Sequence, residues 1–130
     1  MFSVLKSIGG GDSVSKFQSS NLLGVLKITI GILYVIGSID VAIKKAKTAR
    51  LSNIATEELG KQSQPGKPLY GIEHTNGGLV TFGGGLPIKC SPDGQVIGAI
   101  GVAGDSIEND IKVAKVGVDA ICKMIRGDKH

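Results

Sequence analysis

The chain has 130 residues, a formal net charge of +4 and a sequence pI near 9.1, with 42% hydrophobic and 20% charged residues. That length holds one core and excludes a core plus a separate catalytic module, and the apolar content excludes wholesale disorder. Three Phe, two Tyr and no Trp exclude a stacked platform for single-stranded nucleic acid, so no nucleic-acid partner is expected.

In chain order, Met1–Ser20 holds a small apolar cluster, Phe2, Val4, Leu5 and Ile8, then Gly9-Gly10-Gly11 and S-V-S-K-F-Q-S-S. No periodicity persists there, so a loose arm over 1–20 is expected, ahead of a single domain over 21–127 and a tail over 128–130. The arm lacks a basic region feeding a short apolar run, so it does not read as a secretory leader. Asn21–Ile36, with Ile28, Ile30, Ile32 and Val35, reads as strand, bent at Gly31. Leu22–Ile39 just reaches the length of a membrane-spanning helix. Its three glycines, its β-branched residues and Lys27 favour strand, and no membrane partner is expected.

Ser38 reads as the cap of a helix from Ile39 to about Arg50. Asp40 lies in its first turn, and Ile39, Ala42, Ile43 and Ala46 form its apolar face. Lys44, Lys45 and Lys47 are then expected to face solvent, and with Arg50 they read as a solvated helix face. Ser52 or Asn53 is placed to cap a second helix, Ile54–Leu59, stopped by Gly60. Q-S-Q-P-G-K-P over 62–68 is a loop, with a turn at Pro65-Gly66.

Leu79–Phe82 reads as a strand. Ser91-Pro92-Asp93-Gly94 reads as the turn of a hairpin joining Leu86–Cys90 to Gln95–Val102. The second of these strands is apolar on both faces, which predicts a central strand covered on both sides. The last helix is opened by Asp105-Ser106-Ile107-Glu108, a capping box with Asp105 as cap. Ile107, Ile111, Ala114, Val118, Ile121, Cys122 and Ile125 make its apolar stripe.

Cys90 and Cys122 are far apart, with no C-x-x-C and no histidine at metal spacing, which excludes a structural zinc site. Each reads as a small buried hydrophobe. That usage suits a reducing compartment, and a cytoplasmic location is expected.

Residues that could carry chemistry concentrate at the entrance to the glycine-rich stretch Tyr70–Gly104. His74 is the only histidine outside the C-terminal tail, and its imidazole can ligate haem iron or another metal, or simply bond a loop. Thr75 and Asn76 offer a hydroxyl and an amide to a ligand carboxylate, or they close a turn. Gly77-Gly78 and Gly83-Gly84-Gly85 do not open a helix and match neither phosphate-loop pattern, which argues against a nucleotide. No paired carboxylates and no nucleophilic triad are visible, and whether the chain is an enzyme stays open.

Q-P-G-K-P-L-Y-G-I-E-H-T-N-G-G-L-V-T-F-G-G-G-L-P-I over 64–88, then D-G-Q-V-I-G-A-I-G-V-A-G-D-S-I-E-N-D over 93–110, resembles the small haem-binding HbpS/GlcG-like family. That family includes the C-terminal domain of PduO-type corrinoid adenosyltransferases. G-S-I-D-V-A-I-K-K-A-K-T-A over 37–49 resembles its helix after the first hairpin. The resemblance implies an α/β (α+β) profilin-like fold: an antiparallel sheet of about five strands flanked by helices, with a long C-terminal helix. It also implies homo-oligomers and haem or a related tetrapyrrole as cofactor, with a haem-degrading or redox-sensing role. On this reading His74 is the axial metal ligand and Thr75 its polar neighbour. The competing reading is a non-catalytic oligomeric assembly or regulatory module. A third, an enzyme acting on a small hydroxy acid, has no catalytic constellation here. The N-terminus departs from the family pattern: Met1–Ser20 is short and Gly/Ser-rich, and T-I-G-I-L-Y-V over 29–35 replaces the expected R-M-D-G.

Overall fold

The computed structural model describes residues 37–127 and, ahead of them, the backbone of three short strands: β1 (Phe2–Leu5), β2 (Gln18–Ser20) and β3 (Val25–Ile28). The arm expected over 1–20, the strand over 21–36, the apolar stretch 22–39 and the tail with His130 otherwise lie outside the described residues. The fold is α+β: three helices around an antiparallel strand pair.

Helix α1 spans Ser38–Ser52. Ala42, Ala46 and Ala49 recur at i, i+4 and i+7 and are fully buried, so a face of methyl groups lies flat on the sheet. The contact is close enough that a Cβ on Gly101 would overlap the Ala42 carbonyl oxygen. The expected cap moves by one residue. Gly37 is the N-cap, and Ser38 is buried in the first turn. Asn53, expected to start the next helix, ends this one in the left-handed conformation at φ 57°.

Helix α2 spans Thr56–Gln62 and runs through Gly60, which does not stop it. A side chain at Gly60 would overlap the Thr81 carbonyl oxygen, so this glycine admits the neighbouring backbone. Leu79–Phe82 is not a strand. Val80 donates its amide to Thr48 Oγ1 at 2.9 Å, a side-chain partner in place of a ladder.

Strands β4 (Gly85–Lys89) and β5 (Val96–Ala103) form the expected antiparallel hairpin, with Leu86 opposite Ile100 and Ile88 opposite Gly98. Its turn closes with the Gly94 amide on the Ser91 carbonyl at 3.0 Å, Gly94 sitting at φ 74°. On the other side of β5, β1 pairs in parallel with it and with β3, and β2 pairs antiparallel with β3. Antiparallel pairing therefore holds for β4–β5 and β2–β3.

Helix α3 spans Ile107–Arg126. Its cap is Ser106, one residue after the expected Asp105, with Ser106 Oγ accepting from the Asn109 amide at 3.3 Å. Asp105 braces the same turn through the Ser106 amide at 2.7 Å and Asn109 Nδ2 at 3.1 Å. Ile88, Ile100 and Val102 meet Ala114, Ile121 and Cys122 in the principal core. β5 is thus covered by α1 on one face and α3 on the other, as its two apolar faces predict.

Cys90 and Cys122 are not separate thiols. They form a disulfide, with Cα atoms 5.0 Å apart, across a sequence separation of 32. The end of β4 lies against the C-terminal third of α3, which brings the two residues within reach of the bond.

Candidate functional site

His74 ends a 3₁₀ turn, Ile72–His74, entered through Gly71 at φ 86°. A chain of short-range bonds builds the turn: the His74 amide on Gly71, the Thr75 amide on Ile72, the Gly78 amide on Thr75 and the Leu79 amide on Glu73, all between 2.9 and 3.1 Å. The backbone is thus held while the imidazole is left outside, 84% exposed. Its Nε2 stands 3.8 Å from Glu73 Oε1. The other carboxylate oxygen, Glu73 Oε2, is shielded and has no hydrogen-bond partner among the described residues.

Thr75 donates its hydroxyl to the Ile72 carbonyl at 2.7 Å and accepts from Asn76 Nδ2 at 3.0 Å. Asn76 sits at φ 52°, and its carbonyl accepts from Lys47 Nζ. Both residues therefore close the turn. His74 offers an open imidazole. Its sequence neighbours Glu73, Thr75, Asn76 and Gly77 are polar or lack a side chain. Among the described residues no group of three His, Cys, Asp or Glu is placed to hold a metal ion.

The expected solvated lysine face divides. Lys44 pairs with Asp40 at 2.9 Å and Arg50 bonds Asn53 Oδ1 at 3.1 Å, both on the surface. Lys45 goes the other way and is 1% exposed. Its Nζ donates to the Val102 carbonyl at 2.8 Å and to Asp110 Oδ2 at 3.0 Å, and lies 5.0 Å from the centre of the Phe82 ring. Asp110, 3% exposed, accepts the Asp105 amide on its other oxygen at 3.2 Å. The glycine run makes room for this lysine: a Cβ on Gly84 would stand 2.7 Å from Lys45 Nζ. Burial pushes the Lys45 ammonium below its ordinary value, against the opposing hydrogen bond and charge of Asp110. The pair lines an open cavity of about 530 Å³, walled by Val41, Phe82, Ala103 and Ile107.

Sequence reasoning missed this pair, although a signal was present. Lys45 falls three residues after Ala42 and four before Ala49, on the sheet-facing side of α1. Asp110 falls three after Ile107 and four before Ala114, on the stripe of α3. Opposite charges on two apolar stripes mark partners that meet inside.

With this geometry in view, residues 32–119 match the sequence profile of the family described as haem degrading protein HbpS-like. The chain belongs to the HbpS-like family. The corrinoid adenosyltransferase PduO of Salmonella typhimurium is 45% identical over 85 residues, 65% of this chain and 25% of that protein. An uncharacterised 15.0 kDa protein from the dhaT-dhaS intergenic region of Citrobacter freundii is 40% identical over 88 residues, 67% of this chain and 61% of that one. The chain therefore spans about a quarter of the PduO relative. Among solved structures, a PduOC:heme complex aligns at 42% identity and a TM-score of 0.61, covering 66% of this chain and 62% of that one. The Klebsiella pneumoniae protein ORFY aligns at 38% identity with the same TM-score, covering 68% of this chain and 59% of that one.

No helix among the described residues is long and apolar enough to cross a membrane.

Proposed function

We propose that this chain binds haem, with His74 as the axial ligand to iron and Thr75 as the polar contact beside it. The PduOC:heme complex carries the reading, since that protein is 42% identical to this chain over the aligned residues. The haem-degrading description of the family points the same way. The exposed imidazole would supply a ligand, and a haem held at so open a side chain calls for a second surface. We assign that surface to another copy of the chain. Tyr70 and Leu51 remain exposed on this one, and apolar side chains left in water favour association. The profilin-like sheet of about five strands belongs to the same proposal, supported by the likeness to the two solved structures.

Bound haem would supply ligand exchange and electron transfer at iron. The chain's own part is to present His74 from a turn whose backbone is already bonded, so that little order has to be gained on binding. Haem degradation or redox sensing is the finer reading. Titration of the purified protein with haemin tests the proposal. A saturable shift of the Soret band supports it, and no shift overturns it. Loss of the band on adding ascorbate under air supports degradation, and a persisting band contradicts it.

A further inference from the structure

The Lys45 ammonium carries three N–H donors. Among the described residues two reach oxygen, on Val102 and Asp110, and the Phe82 ring lies under the ammonium with its centre 5.0 Å from Nζ. A fully buried ammonium with one donor answered only by an aromatic face retains unmet capacity, because a cation–π contact does not replace an oxygen acceptor in a dry site. That donor borders the cavity of about 530 Å³ between the first turns of α1 and α3, whose walls Val41, Phe82, Ala103 and Ile107 are apolar. Phe82 and Ile107 are each 44% exposed, so the rim is apolar as well.

The charges around the cavity decide what fits. Lys45 is already matched by Asp110. An incoming anion would meet the Asp110 carboxylate, which already balances the one ammonium there. A neutral oxygen acceptor meets no such repulsion and still takes the donor.

We propose that this cavity is a binding site for small, uncharged, carbonyl-bearing apolar molecules (ketones, aldehydes or amides), whose oxygen takes the Lys45 N–H that Phe82 now covers. The site is separate from the His74 turn, and haem binding neither requires it nor follows from it. Phe82 turns aside to admit the carbonyl and then packs against the apolar body of the ligand.

Three probes of similar shape test it on the whole chain: acetophenone, ethylbenzene and benzoate, each titrated while backbone amide signals are followed by NMR. Acetophenone should shift Phe82, Ala103 and Gly104 saturably, and bind at least tenfold more tightly than either of the others. No saturable shift at these residues overturns the proposal. Equal binding of ethylbenzene overturns it too, because the slot would then read no acceptor. Tighter binding of benzoate identifies an anion site and overturns it as well. In Lys45→Met the advantage of acetophenone over ethylbenzene should vanish, and its survival in a folded variant contradicts the role of Lys45. If that variant does not fold, the comparison of the three probes on the wild-type chain decides the matter.

Discussion

Lys45 and His74 both stand beside glycine-rich turns, and the fold treats them in opposite ways. Lys45 is drawn under Phe82 and tied to the start of α3, at the cost of stripping water from an ammonium and a carboxylate. His74 is held on a turn whose own hydrogen bonds are complete without it. The first region is expensive to build and its charges are answered by protein groups. The second is cheap, and among the described residues its side chain has a charged neighbour only in Glu73, at 3.8 Å. Charge alone therefore does not mark the surface in this protein: the lysine is inside and the histidine outside.

The largest effect should come from breaking the buried region. Asp110→Ala leaves the Lys45 ammonium buried without its counter-charge, which costs about 3–5 kcal/mol. Urea unfolding measures this, and a loss under about 1 kcal/mol, as for an exposed pair, would place Lys45 in water. His74→Ala should leave the same transition within about 0.5 kcal/mol of wild type.

Reducing the Cys90–Cys122 disulfide releases a loop with a sequence separation of 32. It should lower stability by about 3–4 kcal/mol by chain entropy. Counting thiols in the unfolded, unreduced protein checks the bond first, and two free thiols would restore the reading of separate buried cysteines. The bonded form belongs to an oxidising setting, so the expected cytoplasmic location depends on the same count.

A smaller loss, about 1–3 kcal/mol, is expected for Gly101→Ala, where the added methyl meets the Ala42 carbonyl and α1 must lift from β5. Thermal unfolding reads it, and an unchanged midpoint would mean that α1 does not lie flat on the strand.

The smallest signal is a pH dependence. The folded chain gives up the Lys45 proton at lower pH than the unfolded chain, whose ordinary value is 10.5. Between those two values the unfolded state holds more protons, so the contribution of this group to stability rises with pH. Subtracting the pH profile of Lys45→Met from that of wild type should isolate a rise over that window. A fall would mean that Asp110 outweighs burial.

What the sequence made legible follows from what is local. The S-P-D-G turn, the two-faced apolar run of β5, the Ala42 and Ala46 spacing of α1 and the Ala114, Ile121 and Cys122 spacing of α3 each sit within one element, and the structure keeps them. Ile39 and Ile43 of the expected α1 face and Ile107 and Ile125 of the expected α3 stripe are instead exposed. Gly60 misled because a glycine can end a helix or admit another backbone, and only the position of Thr81 decides between them. The caps expected at Ser38 and Asp105 each moved by one residue: Gly37 opens α1 with no side-chain bond, and Ser106 opens α3 by accepting from the Asn109 amide. Lys45, Asp110 and the disulfide depend on α1, β4 and α3 meeting, which no single stretch announces. His74 and Thr75 were visible as candidates. Turn closure, which the sequence left open for Thr75 beside a ligand contact, is seen in its bond to Ile72.

The most direct measurement for the functional account is a haemin titration of wild type beside His74→Ala, with circular dichroism confirming that both are folded. Iron held by His74 predicts a Soret shift that saturates in the wild type and is lost in the variant. The same shift, saturating at the same haemin concentration in both proteins, would contradict it and move the iron to another residue.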